Sequence, residues 1–200
     1  MKCYSQNDEQ DVILEFFQGR TGKFLDIGAY NGVDLSNTRA LVELGWSGIM
    51  VEPNPYNLVP LIESIKPFAD RVEVWAAAVS PSPRPSILRL DEAEGRGFAS
   101  TICGSNPHVI QPSPVKLIIP TVLPKDLLWH GPFQFISIDA EWMDFEILLD
   151  FPHDLMGCEL LCIEPSGLLE REKMKRCLVD EFQFTVLHET PENIMACKRA

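Results

Sequence analysis

The sequence lacks both a long apolar run and an excess of positive charge. No segment approaches the ~18 apolar residues of a membrane-spanning helix, and the first ten residues are too polar for a signal peptide. Its 29 acidic residues against 17 Lys and Arg give a formal net charge of -12. Most of such a surface would repel nucleic acid and anionic lipid. We therefore expect a cytoplasmic protein that binds neither nucleic acid nor membranes.

The six cysteines form no C-x-x-C pair, and the chain has no internal repeat. Structural zinc sites need two close ligand pairs, and Cys158 and Cys162 have no second pair to complete one. Without a secretion signal, buried thiols in a reducing compartment are the favoured interpretation. The cysteines thus predict neither a disulfide framework nor a zinc site.

Short apolar runs alternate with amphipathic stretches along the chain, which is typical of a mostly parallel sheet with helices on both faces. The pattern predicts strands at 23–27, 48–52, 71–79, 133–139 and 159–164. It predicts helices at 8–17, 35–44, 143–149 and 169–180, and another that opens at Pro55. Two last strands, at 184–188 and 194–198, predict an antiparallel hairpin that completes a seven-stranded sheet. We expect a single α/β domain over residues 1–200.

The alternation is interrupted between about residues 80 and 115. This stretch is rich in proline and glycine, with short strands expected near 86–90 and 116–122. A long irregular segment inside a compact domain is usually functional or mobile. Two interpretations remain open for it, a lid that covers the substrate and a plain surface excursion.

The segment Phe24-Leu25-Asp26-Ile27-Gly28-Ala29-Tyr30-Asn31-Gly32 joins a predicted strand to a turn. Its glycine spacing differs from the Gly-x-Gly-x-x-Gly pattern that holds a dinucleotide pyrophosphate. Glycine lets the backbone approach a ligand, and N–H groups at a turn and helix start suit a carboxylate. Asp26 suits an ammonium, so the segment matches the amino-acid end of S-adenosylmethionine. The alternative is a tight turn that binds no ligand.

The next predicted strand ends at an acid, Glu52, in the segment Ile49-Met50-Val51-Glu52-Pro53. An acid about 20 residues past a glycine turn can accept hydrogen bonds from both ribose hydroxyls. Ala77, near the end of the third predicted strand, leaves room for a flat adenine. A solvated or helix-capping Glu52 and an ordinary core Ala77 are the alternatives, and NAD would also suit Glu52.

An apolar strand delivers two carboxylates, Asp139 and Glu141, to the sheet edge where open α/β sheets bind ligands. Such a pair is suited to orient a hydroxyl, remove its proton or share a divalent metal. Acids that complement a helix dipole are the alternative. Glu164 ends a later strand and either lines an acceptor site or caps a loop, whereas Asp144 is expected to be a solvated helix residue.

Several segments occur together along residues 5–165: Ser5-Gln6, Gln10-Asp11, Phe24-Leu25-Asp26-Ile27-Gly28-Ala29, Asn31-Gly32, Ser36-Asn37-Thr38, Gly45-Trp46-Ser47-Gly48, Val51-Glu52-Pro53-Asn54, Ile119-Pro120-Thr121-Val122-Leu123, Ile138-Asp139-Ala140-Glu141 and Phe145-Glu146-Ile147-Leu148. The combination resembles the FkbM family of methyltransferases. The resemblance implies a class I, Rossmann-like methyltransferase fold, S-adenosylmethionine as cofactor, and O-methylation of a sugar or small metabolite.

Motifs and resemblance together predict a set of site residues. The predicted catalytic residues are Asp139 and Glu141. The predicted cofactor-binding residues are Asp26, Gly28, Ala29, Asn31, Gly32, Ser36, Asn37, Glu52, Pro53 and Ala77. The resemblance also implies that Gln6 and Asp11 close the pocket from the N-terminal side.

The chain departs from the family pattern at Trp142, where the family often has glycine after the second acid. A bulky ring there would reshape the acceptor site. Three alternatives therefore remain open at this stage: a non-catalytic partner-binding module, an NAD-dependent oxidoreductase, and a metal-assisted methyltransferase that uses Asp139, Glu141 and Glu164.

Overall fold

The computed structural model describes residues 2–89, 101–102 and 116–199. The strands are β1 (Lys23–Ile27), β2 (Ser47–Val51), β3 (Val72–Trp75), β4 (Ala78–Val79), β5 (Ser86–Arg89), β6 (Thr101–Ile102), β7 (Lys116–Ile119), β8 (Thr121–Val122), β9 (Phe135–Ile138), β10 (Leu160–Ile163), β11 (Phe184–Glu189) and β12 (Ile194–Lys198). The helices are α1 (Glu9–Phe17), α2 (Arg39–Glu43), α3 (Pro55–Ile65), α4 (Pro124–Leu127), α5 (Asp144–Asp150) and α6 (Leu168–Asp180).

Seven strands form the main sheet, in the order β11-β12-β10-β9-β1-β2-β3. Strands β3, β2, β1, β9 and β10 pair in parallel, and β12 pairs antiparallel with both β10 and β11. The prediction of a mostly parallel seven-stranded sheet with a terminal antiparallel hairpin is confirmed. The chain runs outward from β1 to β3 and then returns to β9 on the other side of β1. Open α/β sheets bind ligands at such a switch point, beyond the carboxyl ends of the strands.

Side-chain alternation along the strands gives the sheet two covered faces. Leu25 and Ile27 join a core cluster that includes buried residues of α4, α5 and α6. Phe24 and Met50 join a second cluster with buried residues of α1, α2 and α3. Asp26, one residue after Leu25, therefore faces the α1–α3 side. The polar residues of this face decide where a ligand can bind.

Two predicted elements differ from the structure. The predicted third strand, 71–79, is divided: β3 stays in the main sheet, whereas β4 leaves it and pairs in parallel with β8. The predicted helix 35–44 begins only at Arg39. Leu35 has a φ of 58°, and the Ser36 hydroxyl accepts the Arg39 amide at 3.1 Å. Local bonds from serine compete with helix formation, which leaves 35–38 as a loop.

The irregular stretch contributes a separate antiparallel sheet in the order β6-β5-β7. The strands predicted near 86–90 and 116–122 correspond to β5 and to β7 with β8. Most of the predicted lid-like insertion, at 90–100 and 103–115, lies outside the described residues. The lid and the surface excursion therefore both stay predictions.

The segment before α1 is held against the β11–β12 hairpin by buried polar contacts. Glu9 is fully buried, and its carboxylate accepts hydrogen bonds from the Thr190 hydroxyl at 2.7 Å and the Asn193 side-chain amide at 3.0 Å. These bonds lower the pKa of Glu9 even though burial opposes its ionisation. The side-chain amide of Asn7 donates to Glu192 in the turn between β11 and β12 at 2.6 Å, which fixes the chain directly after Gln6. Within the described ranges, no helix has the length and apolarity needed to cross a membrane.

Candidate functional site

The site is built on one row of residues beyond four parallel strand ends. Ile27 of β1 pairs with Val51 of β2 and Ile138 of β9, and Ile138 pairs with Ile163 of β10. The residues that follow these four along the chain are Glu52, Gly28, Asp139 and Glu164. Their backbone amides continue the sheet, since Gly28 donates to Val51, Asp139 to Ile27 and Glu164 to Ile138. Three acids and one glycine thus share a register position at the switch point.

Gly28 is required by the close approach of two chains in this row. Its φ is 86°, a left-handed conformation, and a Cβ placed on it would lie 1.6 Å from the carbonyl oxygen of Asp139. A side chain is therefore excluded on steric grounds as well as by backbone strain. The glycine of the predicted motif lets the turn after β1 lie directly against Asp139.

A second polar row lies two residues deeper on the same face. Asp26 pairs with Ser137, and Ser137 pairs with Cys162. The loop between β1 and α2 covers this row. The Thr38 hydroxyl donates to Asp26, and the Asn37 side-chain amide donates to Ser137 at 3.4 Å. The loop therefore satisfies polar groups that would otherwise be buried without partners.

The two rows form the floor of a cavity of about 260 Å³, just below the ~300–1,000 Å³ usual for ligand sites. Ten predicted site residues line it: Asp26, Gly28, Ala29, Ser36, Asn37, Glu52, Pro53, Ala77, Asp139 and Glu141. Gln6 and Glu164 also line it, whereas Asp11 does not. The structure thus brings together segments from β1, β2, β4, β9, β10 and the N-terminal segment.

Two predicted cofactor residues, Asn31 and Gly32, lie behind the cavity wall. The Asn31 side-chain oxygen accepts the amides of Val33 at 2.9 Å and Asp34 at 2.8 Å. A Cβ on Gly32 would lie 2.6 Å from the side chain of Leu61 on α3. The structure therefore gives both residues a role in shaping the loop, and their contact with a cofactor stays a prediction.

The amides of the glycine turn are already used inside the protein. Those of Gly28 and Ala29 donate to the Val51 carbonyl at 2.9 and 3.1 Å, and that of Tyr30 donates to Glu52 at 2.9 Å. These three amides thus donate within the protein, because the turn closes onto β2, and their contact with a ligand carboxylate stays a prediction. Leu35, Ser36 and Asn37 of the following loop also line this end of the cavity.

Glu52 is held in one orientation at the cavity wall. One carboxylate oxygen accepts the Asn54 amide at 2.7 Å and the Asn57 side-chain amide at 3.3 Å. The other accepts the Tyr30 amide. Carboxylate oxygens each offer two lone pairs, so a fixed carboxylate of this kind presents acceptors in a defined direction.

Several cavity residues were not among the predicted site residues: Tyr30, Asp34, Leu35, Asn57, Ala78, Val79 and Ser137. Ser137 lies two residues before Asp139 on β9, so strand alternation alone would place it on the same face. Asn57 lies on α3 and lines the cavity. Its prediction from the sequence would have required knowledge of how α3 packs on the sheet. Asp144 was expected to be solvated but is buried, and its carboxylate accepts the Ala140 amide at 2.7 Å.

Burial raises the pKa of the acids around the cavity, to about 7 for Asp26, Glu52 and Glu141 and to about 8 for Glu164. The negative charge of Asp139 adds to this rise at each of the four. Hydrogen bonds oppose it at Asp26, through Thr38, and at Glu52, through backbone amides. Carboxyl groups that titrate near neutral pH are common at functional sites.

Asp139 and Glu164 are hydrogen-bonded neighbours. Burial raises the pKa of both, and their shared hydrogen bond lowers the pKa of Asp139 while it raises that of Glu164. The Asp139 side chain also opens into the cavity. The pair therefore has one carboxyl group that readily keeps its proton beside one that accepts hydrogen bonds.

We expect folding stability to fall as pH rises from about 5 to about 8. The four raised acids bind protons in the folded state at pH values where they are already ionised in the unfolded chain. Their stabilising protonation is complete below the unfolded pKa and is lost as pH passes the folded pKa. Urea unfolding should show a loss of more than about 2 kcal/mol over this range. Asp26→Asn should flatten the slope, and a stability maximum at pH 8 would contradict the prediction.

The backbone after Asp139 has two consecutive left-handed residues. Glu141 has a φ of 49° and Trp142 a φ of 77°, each costing roughly 1–2 kcal/mol for a residue with a side chain. This conformation favours glycine, the residue often found in the FkbM pattern at the position of Trp142. Glu141 lines the cavity in this left-handed conformation.

Comparison with known families identifies the family of this chain. The methyltransferase FkbM domain matches residues 26–184. This chain belongs to the FkbM methyltransferase family. The matched range begins at Asp26 and includes the whole Glu52–Gly28–Asp139–Glu164 row. A comparison with curated protein sequences returned no match.

Solved structures show the same fold in other methyltransferases. The methyltransferase FkbM from Methylobacillus flagellatus KT is 16% identical, with a TM-score of 0.56, and the match covers 88% of this chain and 43% of that one. A candidate RNA methyltransferase from Pyrococcus horikoshii is 15% identical, with a TM-score of 0.55 and coverages of 96% and 82%. The ribosomal protein L11 methylase from Lactobacillus delbrueckii subsp. bulgaricus is 12% identical, with a TM-score of 0.50 and coverages of 96% and 78%.

These comparisons confirm the class I methyltransferase fold of this FkbM family member. The chain spans less than half the length of the FkbM structure that it matches. Among the residues that the structure describes, no group of three His, Cys, Asp or Glu side chains is arranged to hold a metal ion. The site is thus a carboxylate-rich cavity at the switch point of a methyltransferase sheet.

Proposed function

We propose that this FkbM family member binds S-adenosylmethionine and transfers its methyl group to a hydroxyl of a sugar or small metabolite. The observation that carries the proposal is the in-register row Glu52, Gly28 and Asp139, with Asp26 one row deeper. This row offers fixed hydrogen-bond acceptors over the length of a cavity, and it lies at the switch point where α/β sheets bind ligands.

The donors and acceptors of the cavity are complementary to the groups of this cofactor. The oriented Glu52 carboxylate is placed to accept hydrogen bonds from ribose hydroxyls, and Asp26 is placed to accept them from the ammonium. The 35–37 loop supplies donors for the carboxylate. Ala77 and Val79 line the apolar end of the cavity, where a flat adenine fits beside small side chains. When bound, the cofactor supplies a methyl group on a positively charged sulfur.

The chain's own carboxylates have two tasks in such a transfer. Methyl transfer is an in-line displacement, so much of the catalysis is the placement of an acceptor hydroxyl. A hydroxyl is a poor nucleophile until its proton leaves, and a base contributes typically 10²–10⁴-fold. Asp139 and Glu141 line the cavity together, and the pKa of Glu141 near 7 suits proton removal at neutral pH.

Charge favours a hydroxylated small molecule as acceptor. The described residues that line the cavity include six acids and no Lys, Arg or His. A phosphate-bearing polymer such as RNA would be repelled by this lining and by the formal net charge of -12. We therefore base the proposed acceptor on the charge of this cavity, and not on the RNA and ribosomal-protein methylases that share the fold.

Isothermal calorimetry with S-adenosylmethionine and its demethylated product tests the proposal. We expect both ligands to bind with micromolar dissociation constants, and NAD not to bind. Glu52→Gln replaces the charged acceptor proposed for the ribose hydroxyls and should weaken binding about tenfold or more, because hydrogen bonds to charged groups contribute ~1.5–3 kcal/mol. A folded protein that binds neither ligand would refute the cofactor assignment and favour a partner-binding module.

Turnover is the second arm of the same test. A panel of hydroxylated acceptors is incubated with radiolabelled cofactor, and methylated products are separated from the unreacted cofactor. We expect transfer to a neutral polyhydroxyl compound. Tight cofactor binding without transfer to any acceptor would favour the non-catalytic alternative, and turnover that a chelator abolishes would favour a metal-assisted reaction.

A further inference from the structure

The Asp139–Glu164 pair has a geometry that the methyl transfer alone does not require. Both residues directly follow paired residues of adjacent parallel strands, Ile138 of β9 and Ile163 of β10. Adjacent strands lie ~4.8 Å apart, so the two carboxyl groups meet side by side at the cavity that both residues line, and the charge of Asp139 raises the pKa of Glu164. Two carboxyl groups this close do not readily ionise together, because like charges repel each other. The pair therefore holds one proton and one negative charge.

The groups around the pair are acids or neutral, so the shared proton is what offsets negative charge at this point of the cavity. The titratable groups that face it are Asp26 from β1, Glu52 after β2, Glu141 after β9, Asp144 from α5, Cys162 from β10 and Glu192 from the β11–β12 turn. Five of these groups are carboxylic acids. The sixth, the thiol of Cys162, is kept neutral because burial raises its pKa. Among the described residues that line the cavity there is no cation.

The proposed cofactor position places a cation beside this pair. If the ribose binds at Glu52 and the ammonium at Asp26, the sulfonium that joins them would be held close to Gly28. Gly28 has no side chain, and its neighbour in the row is Asp139. A sulfonium held there would lie beside the Asp139–Glu164 pair. This step rests on the proposed function.

We propose that Asp139 and Glu164 release their shared proton when the positively charged sulfonium of S-adenosylmethionine binds beside them, and take it up again when methyl transfer leaves a neutral thioether. The pair then distinguishes cofactor from product by charge. Only a carboxyl O–H bond breaks and re-forms in this exchange: its proton passes to the solvent as the cation enters, and a proton returns from the solvent as the neutral product forms. The pair thereby weakens the binding of the product relative to the cofactor as pH rises.

Calorimetry of the two ligands in buffers of different ionisation enthalpy measures the proton directly. At pH 7, S-adenosylmethionine should release up to about one proton more than S-adenosylhomocysteine. Both ligands carry the same amino and carboxyl groups, so the titration of those groups and of Asp26 cancels in the difference. The ratio of the product's dissociation constant to the cofactor's should rise by up to about tenfold per pH unit from pH 6. It should level off above the pKa of about 8 for Glu164.

Glu164→Gln assigns the proton to the pair. Its amide still donates a hydrogen bond to Asp139 but cannot titrate, so the difference in proton release and the pH dependence of the ratio should disappear. Asp34→Asn is the matched control, because Asp34 lines the same cavity and is exposed. It removes one negative charge and should leave both signals intact. If Glu164→Gln does not fold, Asp139→Asn removes the same shared proton.

Each outcome separates this inference from the function on which it rests. Binding of both ligands with equal proton release refutes the inference and leaves the cofactor assignment standing. A difference that persists in folded Glu164→Gln refutes the assignment to this pair. Absence of binding for both ligands refutes the cofactor assignment, and the inference with it.

Discussion

Replacement of Gly28 by alanine is expected to destabilise the protein by about 4 kcal/mol or more, among the largest effects of a single substitution. The new Cβ would lie 1.6 Å from the Asp139 carbonyl oxygen. That atom belongs to the backbone and has no side-chain freedom with which to move away. The turn after β1 must separate from β9, which breaks the Glu52–Gly28–Asp139–Glu164 row. Urea unfolding measures the loss, and calorimetry should show that cofactor binding is lost with it.

Gly45→Ala is the matched control for this substitution. Gly45 has a φ of 92°, close to the 86° of Gly28, but a Cβ there meets no atom within 4 Å. The control therefore carries only the backbone strain of a left-handed residue, roughly 1–2 kcal/mol. The difference between the two variants isolates the contact with Asp139. Equal destabilisation by both would contradict the close approach seen in the structure.

Joint replacement of Asp139 by Asn and Glu141 by Gln is expected to lower turnover by 10²–10⁴-fold. Both side chains keep their size and hydrogen-bonding groups, so the cavity should keep its shape. Neither neutral amide can accept the proton of an acceptor hydroxyl at neutral pH. Glu52 and Asp26 remain, so the affinity for S-adenosylmethionine should change by less than about tenfold. Steady-state methyl transfer to the acceptor identified by the panel measures the first effect, and calorimetry the second.

Two controls make this result specific to proton removal. Asp126→Asn removes one exposed acid that does not line the cavity and should leave turnover within about threefold of the unmodified protein. The single replacements show whether Asp139 or Glu141 carries the larger share. Undiminished turnover of the double variant would remove both residues from the mechanism and direct attention to Glu164.

Much of this site was accessible from the sequence, for a reason that Asp26, Glu52 and Asp139 illustrate. Each lies at or just beyond the end of an apolar run, and such runs become parallel strands whose carboxyl ends meet at one edge. Gly28 was identified by its place between the first run and a helix. No knowledge of strand order was needed to group these four residues.

Other features of the site depended on contacts between distant segments. Thr38 contacts Asp26, and Asn57 contacts Glu52, because loops and helices cover the sheet in an arrangement that no local pattern encodes. Asp144 was expected in solvent, since acids at a helix start are usually solvated. In the structure its carboxylate is buried and accepts a hydrogen bond from the Ala140 amide. Ala77 was expected within a continuous strand, yet a turn after Trp75 separates β3 from β4.

The sequence by itself determined the α/β class, the positions of the main strands and the acids at their ends, because periodic burial and strand-end chemistry are local properties of the chain. The tertiary structure alone decided which acids are neighbours. The pairing of Asp139 with Glu164 follows from the register between β9 and β10, and register is set by packing across the whole sheet. The use of the glycine-turn amides by β2 has the same origin. The charge state of the site, which depends on these contacts, is therefore a property of the fold and not of any single motif.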